Sequence, residues 1–175
     1  MNKLLFVGLI SLITLFGCNS KKKTNSLTQT EKILIRKEIE INIALGLQAT
    51  RNKDINTYMN QLPDDLLIYD ESGEVITKAK QKEYVLRDWT IIDTTLNIKM
   101  DIDSIHFLKL DSIFVFTFQR WERMMFQHDG ITTDTVVTTQ RHRETWKKRN
   151  NEWLGYEVKE LGGKVFVNGE FYLPE

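Results

Sequence analysis

The 175-residue chain has one cysteine, Cys18, so no disulfide can close within it. It has no charge excess: 24 basic side chains balance 24 acidic ones, and no basic stripe marks a nucleic-acid-binding face. Its longest apolar run, Leu4 to Phe16, falls short of the roughly 20 residues that a membrane-crossing helix needs. The three histidines, His106, His128 and His142, are not at metal-ligand spacing, so the sequence gives no zinc site. There is neither a glycine-rich phosphate loop nor a serine nucleophile elbow. Nothing in the residues calls for a cofactor or a metal.

What the chain does have begins at its start. Met1-Asn2-Lys3 is a short basic opening, the apolar run follows, and Gly17 places a small residue before Cys18. These are the three parts of an export signal. Leu15-Phe16-Gly17-Cys18 resembles the bacterial lipobox, with Phe16 departing from the small or branched residue usual there. The resemblance implies cleavage before Cys18 and acyl chains, palmitate among them, on that cysteine. It also accounts for a lone cysteine in an exported chain. Several acyl chains hold firmly to a bilayer, at about 0.8 kcal/mol per buried methylene. Asn19 is not the aspartate of an inner-membrane retention signal, and no acidic cluster follows. The expected location is therefore the periplasmic face of the outer membrane. Residues 1–17 read as signal, 18–30 as lipidated cysteine and polar tether. Residues 31–175 read as one domain, with an extension after about 162.

Within the body, Glu31 to Thr50 reads as an amphipathic helix with Ile33, Leu34, Ile41, Ala44, Leu45 and Gln48 near helical spacing. Asp54 is placed to cap a short second helix that ends before Pro63. Leu66–Tyr69 and Val75–Thr77 read as a hairpin around Asp70-Glu71-Ser72-Gly73, and Lys78 to Ile92 as a third helix. The remainder alternates with period two. Leu96, Ile98, Met100 and Ile102 share a strand face, and the parity change at Ile105 and Phe107 predicts a bulge near Asp103 or Ser104. Strands follow over Ile113–Phe126, Thr132–Lys148 and Trp153–Leu161. Gly162-Gly163 is expected to break the last, with a short strand over Val165–Gly169. Helices first and long strands afterwards predict an α+β domain, a strongly curved antiparallel sheet wrapped around the N-terminal helices.

Three phrases resemble the nuclear transport factor two-like, cystatin-like cone domains, in particular the SnoaL-like branch. They are Asn52-Lys53-Asp54, Gly73-Glu74-Val75-Ile76-Thr77-Lys78, and Arg143-Glu144-Thr145-Trp146-Lys147-Lys148 leading to Asn151-Glu152-Trp153. The resemblance covers about Thr30 to Leu161. Gly155 departs from it, where a core aliphatic is usual. It implies a pocket at the open end of a cone, with Tyr58, Tyr69, Asp70 and Trp89 near the lining. Members include isomerases, dehydratases and cyclases, and some with no known reaction, so the fold fixes no function.

Strand parity adds further candidates. Arg120 and Glu122 continue the face of Phe114, Phe116 and Phe118, and His142 lies on the next strand with Gln140 and Glu144. If that face is concave, His142, Arg120 and Glu122 form a polar cluster that binds a ligand or moves a proton. The alternative is a set of cross-strand ion pairs on a solvated face. Asp70 is either a general base or a turn former. Trp121, Arg123 and Met125, if convex, want cover from a homodimer through the sheet or from Val165 to Leu173.

Three functions stand open. The first is a lipid-anchored domain that binds a small apolar or amphipathic ligand without catalysis. The second is an isomerase or lyase using a carboxylate or His142. The third is a partner-binding lipoprotein with a filled cone.

Overall fold

The computed structural model describes residues 27–173. The signal, Cys18 and most of the tether lie outside them. Helix α1 (Gln29–Arg51) starts two residues before the expected Glu31, because Thr28 and Glu31 form a reciprocal capping box. The Thr28 N–H donates to Glu31 Oε2 at 2.7 Å, and the Glu31 N–H donates to Thr28 Oγ1 at 3.2 Å. Asp54 caps α2 (Ile55–Asn60), accepting from the Thr57 N–H at 3.0 Å. Strands β1 (Leu67–Tyr69) and β2 (Val75–Thr77) form the first hairpin. Gly73 takes φ 90 in its turn, which a side chain would disfavour. Thr77 caps α3 (Lys78–Ile91). The long strands are β3 (Ile92–Lys109), β4 (Ser112–Phe126), β5 (Thr133–Arg149) and β6 (Glu152–Val167), and β7 (Glu170–Phe171) is short.

The seven strands make one curled sheet in the order β2-β1-β6-β5-β4-β3, with β7 beside β6. The sheet is not wholly antiparallel as expected. Strand β1 runs parallel to β6, pairing Leu67 with Glu157 and Tyr69 with Lys159. Register shifts bend it. The one between Ile102 and Ser104 falls where the parity change predicts a bulge, and it returns Ile105 and Phe107 to the inner face. An earlier shift between Thr95 and Asn97 leaves Leu96 exposed, out of step with Ile98. Gly162 and Gly163 do not end β6. Gly162 takes φ 111 beside a shift between Gln140 and His142, and pairing resumes through Val167.

Two expectations about faces are corrected. On α1 the buried residues are Ile35, Ile39, Ala49 and Thr50, while Ile33, Leu34, Ile41 and Leu45 are exposed. The helix carries two apolar stripes, and periodicity alone ranks them equally. The choice is made by β6: the Trp153 N–H donates to Glu38 Oε1 at 3.1 Å, and Asn42 Nδ2 donates to the Trp153 carbonyl at 2.8 Å. On β4 the inner face is Ile113, Val115 and Thr117, all essentially inaccessible, whereas Phe114, Phe116 and Phe118 are only half-buried on the outer face. Trp121, Arg123 and Met125 therefore need no cover as a convex face.

The narrow end of the cone is packed by Ile35, Ile39, Ile113, Val115, Trp146 and Trp153. Gly155 lies against this packing: a Cβ there would sit in contact with the Trp146 indole at 3.6 Å. Among the described residues no helix is long and apolar enough to cross a membrane.

Candidate functional site

Beyond the packed end the sheet and helices part around a cavity of about 530 Å³. The second half of α1 contributes Gly46, Leu47 and Thr50, and α3 contributes Val85 and Trp89. The inner faces of β3, β4 and β5 close the other side. Cross-strand pairing puts Gln119 beside Gln140, Thr117 beside His142 and Val115 beside Glu144. On the far side of β5, His142 pairs with Glu160. A chemistry-bearing row thus crosses the cavity wall.

Its members are hydrogen-bonded in series. Glu144 is buried, and its carboxylate accepts from Trp146 Nε1 at 2.7 Å and from Thr117 Oγ1 at 3.0 Å. Thr117 Oγ1 also lies 3.4 Å from His142 Nδ1. With the hydroxyl proton given to Glu144, the Thr117 oxygen accepts, so Nδ1 carries the imidazole proton. That leaves Nε2 with a lone pair and, among the described residues, no hydrogen-bond partner. Burial raises the Glu144 pKa; the Trp146 and Thr117 hydrogen bonds oppose that rise. Burial lowers the His142 pKa to about 4, so the ring is neutral at pH 7. Glu160 is raised first by burial and then by Glu71 and Asp70 nearby.

Tyr58 and Trp89 meet edge to face, their ring centroids 6.1 Å apart. Gln81 Nε2 donates to the Tyr58 hydroxyl at 3.1 Å, and burial raises the pKa of that phenol.

No family model matches the chain, and no curated protein matches it. Solved structures do. A type 2 hexachlorocyclohexane dehydrochlorinase matches with TM-score 0.66 at 10% identity, covering 84% of this chain and 99% of its own. A scytalone dehydratase-like protein from Novosphingobium aromaticivorans matches with TM-score 0.66 at 10% identity, over 82% and 97%. An NTF2-like protein from Cytophaga hutchinsonii matches with TM-score 0.55 at 21% identity, over 77% and 98%. The fold is the nuclear transport factor two-like cone. At these identities the likeness extends to the fold alone.

Of the residues singled out from the sequence, the cone brings Tyr58, Trp89 and His142 into the cavity wall. Trp121, Arg123, Gln140 and Glu144, named from strand parity, line it too, whereas Tyr69, Asp70, Phe116, Phe118, Arg120 and Glu122 do not. Tyr69 ends β1 outside the lining. Asp70 is a turn former: it accepts from Ser72 Oγ at 2.8 Å and from the Glu74 N–H at 2.7 Å. The Ser72 hydrogen bond holds its pKa low, the opposite of a poised base. Phe116 packs on His106 at 5.2 Å, and Phe118 lies under the Arg141 guanidinium at 5.2 Å. Arg120 and Glu122 form an ion pair of 2.7 Å along β4 on its outer face, within one strand where cross-strand pairs were the expected alternative. The outer face replaced the inner one in that expectation because β4 is apolar on both sides.

Sequence reasoning left out Thr117, Gln119 and Glu160, and it set Arg123 on the wrong face. Glu144 was seen beside His142 but not as its partner through a hydroxyl. Register was the signal: once His142 faces inward, Thr117 and Glu160 must follow. Among the described residues no group of His, Cys, Asp and Glu is arranged to hold a metal.

Proposed function

We propose that this chain is a lipid-anchored envelope protein whose cone binds a small, largely apolar molecule. The cavity supports the binding half. At about 530 Å³ it lies in the size range of small-molecule sites, roughly 300–1,000 Å³, and apolar surface predominates in its wall beside polar side chains such as Gln119, Gln140 and His142. It also speaks against the filled cone: only the narrow end is packed by its own side chains. N-phenyl-1-naphthylamine, a neutral apolar fluorophore, is expected to bind saturably, one probe per chain, with micromolar affinity. Absence of saturable binding sinks this half.

The anchor half rests on residues 1–18 alone. Cys18→Ala is expected to release the protein from membranes or to leave the signal uncut. Unchanged processing and membrane retention refute lipidation. The outer-membrane location is part of the same proposal.

One observation favours a second function, a lyase or isomerase. The His142–Thr117–Glu144 chain presents Nε2 as an acceptor inside the cavity. Such a nitrogen can take a proton from a substrate carbon, and Glu144 can stabilise the imidazolium through the Thr117 hydroxyl. The electron pair left on carbon then expels a leaving group from the next carbon, or accepts the proton back at another position. The low His142 pKa ranks this function second. A base works best with a pKa near the working pH, and about 4 makes the ring a weak one. A neutral imidazole that stays neutral suits hydrogen bonding to a ligand better. A proton on Nε2 rather than Nδ1, read in imidazole nitrogen spectra, rules out the base.

A further inference from the structure

Arg123 is a cation in the cavity wall without an anion. Its Nη1 donates to Thr138 Oγ1 at 3.0 Å, its Nε approaches Met125 Sδ at 3.2 Å, and its guanidinium lies 4.3 Å from the Trp121 ring centre. Every one of these partners is neutral. Among the described residues no carboxylate lies within ion-pair distance of it. The nearest candidate, Asp88, also lines the cavity but is engaged by Arg87 at 2.7 Å. Burial lowers the Arg123 pKa, and Asp88 offsets this only in part. A ring face and a hydroxyl compensate a desolvated charge incompletely, whereas a carboxylate or sulfonate matches the guanidinium fork. Nη2 has no hydrogen-bond partner among the described residues.

Of the other charged residues that line the cavity, Asp88 is at the Arg123 end, and Glu144 and Glu160 lie by His142. Glu160 is on β6, with Glu71 and Asp70 near it, and it pairs with His142 across the sheet. Arg123 is six residues along β4 from Thr117, about 20 Å of strand at the usual rise. The charged groups of the cavity therefore fall at two places: Arg123 with Asp88 near α3, and Glu144 and Glu160 by His142. Along the sheet between them stand Trp121, Ile98 and Met100, with Gln119 and Gln140.

We propose that Arg123 holds the anionic head of an amphipathic ligand, an organic acid with a carboxylate or sulfonate on an apolar body. The head takes the free Nη2 edge, and the body lies along Trp121 and Trp89 toward His142. This inference rests on the pocket-binding proposal and adds the charge of the ligand to it.

The test uses two probes of nearly one shape. 8-Anilino-1-naphthalenesulfonate carries a sulfonate that N-phenyl-1-naphthylamine lacks. Both are titrated into the intact chain carrying Cys18→Ser, which keeps lipid away from the probes. Arg123→Met is expected to weaken the sulfonate probe about tenfold or more while leaving the neutral probe within about twofold. Arg123→Lys, which keeps charge and loses the fork, should fall between. The inference is overturned if Arg123→Met leaves sulfonate affinity unchanged, or if both probes weaken together. Should Arg123→Met unfold, Arg123→Lys decides: a selective loss of sulfonate affinity supports the inference, and no selective loss ends it. Failure of both probes to bind the parent chain removes the pocket proposal itself, and this inference with it.

Discussion

Trp153→Ala is expected to lower the unfolding free energy by about 3–5 kcal/mol, read from urea denaturation. Two effects at this position set the size, and a third offsets part of it. The side chain is fully buried among Ile35, Ile39, Ile113, Val115 and Trp146, so truncation opens a cavity at the packed end. Its backbone carries both clamps to α1, from Glu38 and Asn42, and a cavity beside them loosens the helix that forms one wall of the cone. Its indole N–H is buried with no partner, which already costs about 1–3 kcal/mol. Trp153→Phe removes that orphaned donor while keeping most of the volume, so it is expected within about 1.5 kcal/mol of the parent. An alanine variant that loses less than its phenylalanine counterpart would place the structural centre elsewhere.

The second large effect is acid sensitivity set by His142. Its pKa is lowered to about 4 in the fold from 6.5, chiefly by burial. Between these values the unfolded chain binds a proton that the folded chain refuses. Stability from this residue is therefore fully present above pH 6.5 and is lost as pH falls to about 4. At 1.36 kcal/mol per unit the loss is about 3 kcal/mol. Glu144 works in the other direction: its raised pKa makes the fold bind a proton more readily, so acidification relieves it. Carboxylates held low, such as Asp70 and Asp129, add their own loss near and below their ordinary range. These last terms are common to parent and variant. Unfolding free energies measured from pH 7 to pH 4 should thus fall about 3 kcal/mol less in His142→Gln than in the parent. Parallel curves would show that His142 is solvated. Imidazole nitrogen spectra over the same range should report Nδ1–H down to about pH 4, and Thr117→Val should erase that preference.

Local chemistry made much of the fold legible. Thr77 and Asp54 cap where short polar side chains precede helical stretches, and the Ile102–Ser104 bulge announced itself as a parity change. The faces were harder. Helix α1 has Ile33, Leu34, Ile41 and Leu45 on one side and Ile35 and Ile39 on another, and only the distant Trp153 decides between them. The parallel pairing of β1 with β6 joins segments too far apart for any local pattern to show. His142 was found for a partly mistaken reason. Its strand face was right, but its partner is the Thr117 hydroxyl, not Arg120, because inner and outer faces of β4 are equally apolar in sequence. Arg123 escaped for the same reason.

Leu67 pairs with Glu157 as well as with Thr77, and α1 is held at Trp153 as well as at Ile102. Until the final sixth of the chain arrives, the first hairpin lacks its parallel neighbour β6 and α1 lacks the contacts that Trp153 makes. Closure over such long separations is slow. A chain emerging N-terminus first from a ribosome lacks its closing strand until almost all of it is out. During that interval the apolar strands β3, β4 and β5 are bare, and holding factors and proteases have their longest access to them. The cone is completed by β6, its last long strand, so the pace of synthesis governs how long the chain is at risk.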